Sequence, residues 1–420
     1  MIKIYKKEDL KEIFARVTTE NLAVEKTVSE IIQNVRVNGD KALREYSLKF
    51  DKTALDSFKV TAEEMAEADA LVDKDYKRIL KTATENIKNF HKKQLRSDFA
   101  INDGGKIVGQ KVVPLSRVGI YVPGGTASYP STVLMNAVPA LIAGVKEIVM
   151  VSPPKADGKI RPEVLVAARI AGVTEIYKVG GAQAVAALAY GTESIKKVNK
   201  ITGPGNIFVA TAKKQVFGTV DIDMIAGPSE IMIIADDSAN PKFVASDLLS
   251  QAEHDKMATA VLITPSEKLA KLVQEEVEIQ LDTLERKEIA RESIDNNGKI
   301  IIVDDLTSCV DVSNELAPEH LEICTEDPMK LFSQIQNAGS VFLGNYTPEA
   351  LGDYYAGTNH TLPTSGTAKY ASALGVEDFI KTVQYIKYDE TELKKCADDI
   401  IRFAESEGLT AHANSVKVRK

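Results

Sequence analysis

Hydrophobic residues recur at three- and four-residue intervals from Ser29 to Phe50, where Ile31, Ile32, Val35, Leu43 and Tyr46 would share one side of a helix. Asn38-Gly39 interrupts the run, so one or two amphipathic helices are predicted. Thr61 to Gln94 has the same period and opens on Thr61-Ala-Glu-Glu64. This is capping-box spacing, in which the Thr hydroxyl accepts from the backbone three positions on and the Glu carboxylate reaches back. His91, in the Lys-rich segment Asn89-Phe-His-Lys-Lys93, is expected on a solvated face, and no chemistry is visible in this region.

From about Val112 the pattern changes to short β-branched runs separated by Gly-rich turns and Ala-rich helical stretches. Val118 to Val122, Glu147 to Val151, Glu175 to Val179 and Lys200 to Thr202 form a first series. Ile231 to Ala235, Ala260 to Thr264, Lys299 to Val303 and Ser340 to Leu343 form a second. Two β-α series predict two α/β domains with mainly parallel sheets. The expected divisions are an N-terminal helical region (1–112, packing with the second α/β domain), a first α/β domain (113–229), a second (230–370) and a C-terminal helical tail (371–420).

Composition narrows the class without naming it. The 420 residues exceed what one hydrophobic core organises, and 44% hydrophobic with 27% charged residues describes an ordinary globular protein. The net charge of −8 argues against a nucleic-acid partner. Ser131 to Val145, an apolar stretch broken by Asn136 and Pro139, falls short of the ~20 residues of a membrane span. Met1 to Phe14 has no export signal, and three cysteines without C-x-x-C spacing suggest neither a disulfide framework nor a thiolate metal cage. A cytoplasmic protein is expected.

The remaining histidines are the more informative ones. Gln251 and His254 are spaced to lie on one helix face, where both could reach a single cation. The segment lacks H-E-x-x-H and so the metalloprotease motif. Glu319-His320 sets a carboxylate beside an imidazole, the side chain best suited to take and return protons near neutrality. Gly352-Asp-Tyr-Tyr-Ala-Gly-Thr-Asn-His360 is too turn-rich for a core element. His412 lies eight residues from the C-terminus. Read singly, most of these fit structural roles.

Three turns follow strand-like runs and open helices: Tyr121-Val-Pro-Gly-Gly125, Val179-Gly-Gly-Ala-Gln183 and Gly203-Pro-Gly-Asn206. Backbone N–H groups at such helix starts can meet phosphate, although tight turns also need Gly for backbone reasons alone. Phe208 occupies the third glycine position of G-x-G-x-x-G, so a dinucleotide cannot be deduced from this turn.

Taken together, these turns and Ala226-Gly-Pro-Ser-Glu230, Ser250-Gln-Ala-Glu-His254, Ala317-Pro-Glu-His-Leu321, Asn359-His-Thr-Leu-Pro363 and Gly408-Leu-Thr-Ala-His412 resemble histidinol dehydrogenase, in order, from about Val113 to His412. The resemblance implies two Rossmann-like domains, a zinc ion and NAD. It implies Gln251, His254, Asp353 and His412 as zinc ligands, Glu319 and His320 as the acid–base pair, and Ser229, His360 and Glu407 among the substrate contacts. Tyr121, Gln183 and Asn206 would contact NAD. It further implies a homodimer with intertwined tails, which would let His412 cross to the second subunit. The implied reaction is a two-step oxidation of L-histidinol through the aldehyde to L-histidine, with His320 as base and Glu319 activating water. Attack by a cysteine thiolate is the alternative for the aldehyde step; Cys324, four residues beyond His320, is the candidate. A zinc hydrolase with Glu319 as base, and a non-catalytic nucleotide-binding protein, are the rival classes.

Overall fold

The computed structural model describes residues 1–6, 8, 22–124 and 129–420, so half of the Met1 to Phe14 segment and Gly125 lie outside the described residues. A short strand, β1 (Lys3–Lys6), precedes the helices α1 (Leu22–Tyr46), α2 (Ala62–Leu71) and α3 (Lys74–His91). The backbone of α1 breaks at Gly39 (φ 50°, ψ −129°). The capping box of α2 forms as its spacing predicts: Glu64 N donates to Thr61 Oγ1 at 3.2 Å and Thr61 N to Glu64 Oε2 at 2.8 Å. An antiparallel pair, β2 (Phe99–Asp103) and β3 (Lys106–Pro114), follows.

The first β-α series is β4 (Arg117–Tyr121), α4 (Pro130–Ala143), β5 (Glu147–Ser152), α5 (Pro162–Ala171), β6 (Glu175–Lys178), α6 (Gly181–Tyr190), β7 (Lys200–Thr202), α7 (Ile207–Val216) and β8 (Asp221–Ile222). Its strands form a parallel sheet in the order β6-β5-β4-β7-β8. The second series is β9 (Glu230–Ala235), α8 (Pro241–Ala252), β10 (Thr259–Thr264), α9 (Glu267–Leu281), α10 (Lys287–Asn297), β11 (Lys299–Ile302), α11 (Leu306–Leu316), β12 (His320–Cys324), α12 (Pro328–Phe332) and β13 (Ser340–Leu343). These strands and β1 make a parallel sheet ordered β1-β11-β10-β9-β12-β13. The buried Val, Ile and Leu of both sheets are the continuous apolar runs that helices on each face require.

The N-terminal helices α1 to α3 lie largely against the first sheet's helices, and α3 also meets the 352–360 segment of the second α/β region. Val28, Ile31, Ile32, Val35 and Leu43 of α1 share a core with Ala184, Ala187 and Leu188 of α6 and Val209 of α7, and Leu80 and Ile87 of α3 share one with α4. The alanine-rich face of α6 lets α1 approach closely. Only β1 joins the second sheet, pairing parallel to β11. The tail expected to be helical also carries a strand: after a short helix α13 (Glu349–Leu351), β14 (Ile380–Tyr388) pairs antiparallel with β3, ahead of helices α14 (Glu390–Ser406) and α15 (Thr410–Lys417). The sheet β14-β3-β2 is largely exposed, so its strands carry mixed polar and apolar residues and lack the buried-strand signature.

Candidate functional site

Both sheets reverse direction of strand order at an interior strand, and such switch points open crevices at strand ends. In the first sheet this falls between β4 and β7, where Tyr121 ends β4 and Gly203 follows β7. In the second sheet it falls between β9 and β12, but the polar side chains gather at the strands' beginnings, Glu230 and His320, the latter pairing with Ile231 in the ladder. The segment 359–364 joins the two regions. Asn359 Nδ2 donates to Met135 O of α4 at 2.7 Å, His360 Nε2 lies 3.5 Å from Thr132 Oγ1, and Gly227 N donates to Thr364 Oγ1 at 2.6 Å.

The local sequence explains how Glu319 and His320 are aimed. Ala317 ends α11 in the left-handed region (φ 52°), an uncommon conformation for a residue with a side chain, and Pro318 makes extension of the chain the favoured exit. Gly339 N donates to Pro318 O and Ser340 N to Glu319 O, both at 2.9 Å, so β13 fixes the emerging backbone.

His320 is buried, with three carboxylates around it. Nδ1 donates to Glu230 O at 3.1 Å and lies 3.7 Å from Glu319 Oε2. Nε2 lies 3.8 Å from Glu349 Oε1 and 3.7 Å from Asp353 Oδ1. Neither His320 Nε2 nor Asp353 Oδ1 has a hydrogen-bond partner, so two buried polar atoms face a shared space that a ligand can complete. Glu319 Oε2 accepts from Glu230 N at 2.8 Å. Burial works against an imidazolium at His320, but Glu349, Glu319 and Asp353 outweigh it and raise its pKa well above the usual value. Burial pushes Glu319 up to about 7, against the lowering influence of His320 and the Glu230 N–H. Burial would raise Asp353 too, but the surrounding histidines prevail and lower it.

Gln251, the last residue but one of α8, is fully buried and reaches this group. Its amide nitrogen donates to Glu349 Oε1 at 2.7 Å and its oxygen accepts from Glu230 N at 3.1 Å. His254 follows the helix and is exposed. The protein crowded around it lowers its pKa, opposed chiefly by Asp353. His360 is half-buried, and burial lowers its pKa while Asp353 again opposes. Ser229 immediately precedes Glu230, and its carbonyl accepts from Thr259 N at 3.0 Å. Of the site residues expected from sequence, Gln251, Glu319, His320 and Asp353 lie together here, whereas Glu407 and His412 are exposed on the tail, and within one chain no described hydrogen bond or ion pair joins them to the centre.

Glu349 was missed. Its carboxylate, with those of Asp353 and the imidazole of His320, forms a group whose donor atoms lie within 4.8 Å of one another. This group shares only Asp353 with the ligand set expected from sequence. Thr347-Pro348-Glu349 reads as an ordinary helix start, so nothing local marks Glu349 as functional. His91 also departs from expectation: it is buried, its Nδ1 donates to Ile87 O at 2.8 Å and its Nε2 lies 3.5 Å from Asn359 Nδ2, bracing the segment that carries His360. The lysines around it are exposed, which hid the inward-facing ring in the pattern.

Helix α3 also holds the Asp353 loop. Asn86 Nδ2 donates to Tyr355 O at 2.8 Å, and Gly357 (φ 105°) presses so closely that an added Cβ would sit 2.6 Å from Asn86 O. Gly357→Ala is therefore expected to destabilise the protein by about 1–3 kcal/mol or more, from strain and the clash together. Urea denaturation should show a lower midpoint with an unchanged slope; an unaltered midpoint would mean the loop yields freely.

The cysteines do not suit nucleophilic attack. Burial drives the Cys309 thiol to about 12, and burial with Glu322 and Asp247 raises Cys324 further still. Cys324 stands at the opposite end of β12 from His320. A buried thiol surrounded by carboxylates is a poor source of thiolate.

At the first sheet's crevice Tyr121 is buried, and its hydroxyl accepts from Gly181 N at 3.0 Å. Gln183 is buried in the first turn of α6. Asn206 caps α7, its Oδ1 accepting from Phe208 N and Val209 N at 3.1 and 3.2 Å, and its amide nitrogen is left uncommitted to the helix. Gly203 (φ 109°) runs so close to β4 that a Cβ would stand 2.1 Å from Tyr121 O.

A buried carboxylate–imidazole pair at one parallel sheet and helix-opening glycine turns at another belong to an α/β protein whose relatives are oxidoreductases. The chain belongs to the histidinol dehydrogenase family, whose model matches residues 14–420. It is 56% identical over 401 residues to a histidinol dehydrogenase of Clostridium acetobutylicum, covering 95% of this chain and 93% of that one. It is 54% identical over 418 residues to that of Lactococcus lactis, covering 99% and 97%. The crystal structure of histidinol dehydrogenase from Elizabethkingia anophelis superposes with a TM-score of 0.95 at 39% identity, covering 100% of this chain and 98% of that one. Among the described residues no helix is long and apolar enough to cross a membrane.

Proposed function

We propose that this chain oxidises L-histidinol through L-histidinal to L-histidine, using NAD+ twice at one centre, as a cytoplasmic homodimer. The observation that carries the reading is the pair of unpartnered buried atoms, His320 Nε2 and Asp353 Oδ1, 3.7 Å apart beside Glu319. In the first step His320 takes the alcohol proton; NAD+, when bound, would accept the hydride from the carbinol carbon. In the second, Glu319 takes a proton from a water that adds to the aldehyde, while His320 returns its proton to the carbonyl oxygen and is again neutral. A carboxyl titrating at about 7 is matched to that exchange at neutral pH. His320 then takes the hydroxyl proton of the hydrate as the second hydride leaves.

The residues fit a zinc ion. Asp353 offers a buried oxygen without a partner, Gln251 is buried beside it in the same cluster, and His254 lies within Asp353's electrostatic reach. Nitrogen and oxygen donors of these kinds suit Zn(II), with His412 the fourth ligand. When bound, the metal would grip the substrate's imidazole and amino nitrogens, contributing position rather than acidity. Engagement of Asp353 would also weaken its pull on His320 and favour the neutral imidazole that a base requires. His412 would come from a second copy of the chain. The exposed Phe403, Leu409 and Val418 of the tail and Ile386 and Tyr388 of β14 form an apolar surface that a partner would bury.

For the cofactor, the helix starts at Gly181 and Asn206 suit a diphosphate held by backbone N–H groups. Tyr121, Gln183 and Asn206 would hold it. The reading is tested by adding histidinol and NAD+ with and without a chelator. NADH should appear and be lost on chelation, whereas a zinc hydrolase would give none. Glu319→Gln is expected to slow aldehyde oxidation by roughly 10²–10⁴-fold and alcohol oxidation much less, so that a carbonyl trap captures histidinal. Equal slowing of both steps, measured with each substrate, would remove the water-activating role.

A further inference from the structure

The most completely buried ion pair on the cofactor side of the molecule lies outside the residues assigned above. Lys213, two turns into α7, and Asp223, just past β8, have side chains 3% and 1% exposed and pair through Lys213 Nζ and Asp223 Oδ1. Both hold the same glycine. Lys213 Nζ donates to Gly203 O at 3.0 Å, and Gly203 N donates to Asp223 Oδ2 at 2.8 Å. Asp223 Oδ1 also accepts from Met224 N at 2.7 Å, at the start of the segment that crosses to Ser229 and β9.

Both backbone polar groups of Gly203 are therefore fixed from beneath by opposite charges. A buried ion pair is a weak source of stability, because desolvating two charges offsets their attraction and an apolar pair of similar shape often serves as well. What this pair supplies is geometry. It holds a turn in an unusual backbone conformation, 2.1 Å in Cβ terms from Tyr121 O, with Asn206 three residues on at the helix start. By the same contacts it ties that turn to the crossover leading to the substrate side.

We propose that Lys213 and Asp223 are positioning residues for the cofactor: the pair sets the 203–206 turn so that the Gly205 and Asn206 N–H groups and the Asn206 side chain meet the dinucleotide's diphosphate. The proposal rests on the NAD reading given above. Removing one charge alone would strand the other, so the test removes both, in Lys213→Met/Asp223→Asn. The expected result is a folded protein whose NAD+ Kd, read by calorimetry, and NAD+ KM rise roughly ten- to hundredfold, the cost of a displaced binding turn. The histidinol KM and the kcat at saturating NAD+ stay near the parent's. A folded variant whose NAD+ Kd lies within about twofold of the parent's overturns the proposal, even if it melts earlier, because a purely structural pair lowers stability alone.

If the double variant does not fold, two measurements take its place. Lys213→Arg keeps the charge but moves the donor, and it should weaken NAD+ binding in the same direction. In the unmodified protein, amide hydrogen exchange across 203–209 should slow on adding NAD+; unchanged exchange there overturns the proposal. An unmodified protein that binds no NAD+ at all would instead sink the cofactor reading, and the proposal with it.

Discussion

His320→Ala is expected to slow both oxidations by roughly 10²–10⁴-fold while the protein keeps its metal. The side chain touches all three neighbouring carboxylates, yet the donors proposed for zinc, Gln251, His254 and Asp353, do not include it. Removing the imidazole removes the base proposed to accept the substrate's proton in both oxidations. Two measurements separate this from damage to the site: metal content by elemental analysis, and single-turnover rates with histidinol and with histidinal as separate substrates. Loss of zinc together with activity would move His320 into the ligand set, toward the group it forms with Glu349 and Asp353. Loss of only one oxidation would divide the two steps between different bases.

The second large effect concerns the tail. His412→Ala, or truncation before Glu407, is expected to abolish metal retention and activity together, although His412 is exposed within its own chain. The truncated protein should still fold, because α14 and α15 bury little beyond Ala397 and Ala413. Complementation gives the sharper result. If His412 completes the centre of the partner, mixing inactive His412→Ala with inactive His254→Ala chains restores activity, because each mixed dimer contains one site with both residues. Random exchange of equal amounts should recover about a quarter of parental activity. No recovery after verified exchange would place His412 within its own subunit, and a metal-replete truncated protein would exclude it as a ligand.

These results bear on residues that the sequence disclosed to different degrees. Most strands of the two parallel sheets, though not β1, β8 or β12, were readable because burial on both faces demands unbroken Val and Ile runs, as in Ile231 to Ala235. The sheet formed by β2, β3 and β14 was not, because an exposed strand such as Ile380 to Tyr388 has no pattern that burial would impose. Packing partners were likewise invisible. The amphipathic face of α1 announces that it is covered, but only the structure shows that α6 and α7 cover it.

The centre itself was legible through its histidines, which are scarce in this chain and sit among unusual neighbours. Glu349 and Glu230 were not, since carboxylates at a helix start and at a strand start are common. Their importance comes from burial beside His320, which depends on the parallel register of β9 against β12. His91 failed for a related reason: the surrounding lysines predict a wet surface, whereas the ring turns inward to Ile87 O. Lys213 and Asp223 also gave no local signal, being an ordinary helix lysine and loop aspartate until the fold closes them over Gly203.

The stoichiometry of a single turnover sequence bears most directly on the proposition that one buried pair, Glu319 and His320, serves two successive oxidations. Counting NADH against histidine, with a carbonyl trap in solution, should give about two NADH per histidine and no trapped aldehyde, with both products lost on chelation. About one NADH per histidinol consumed, with histidinal collecting in the trap, would contradict it, for the centre would then carry out only the first oxidation.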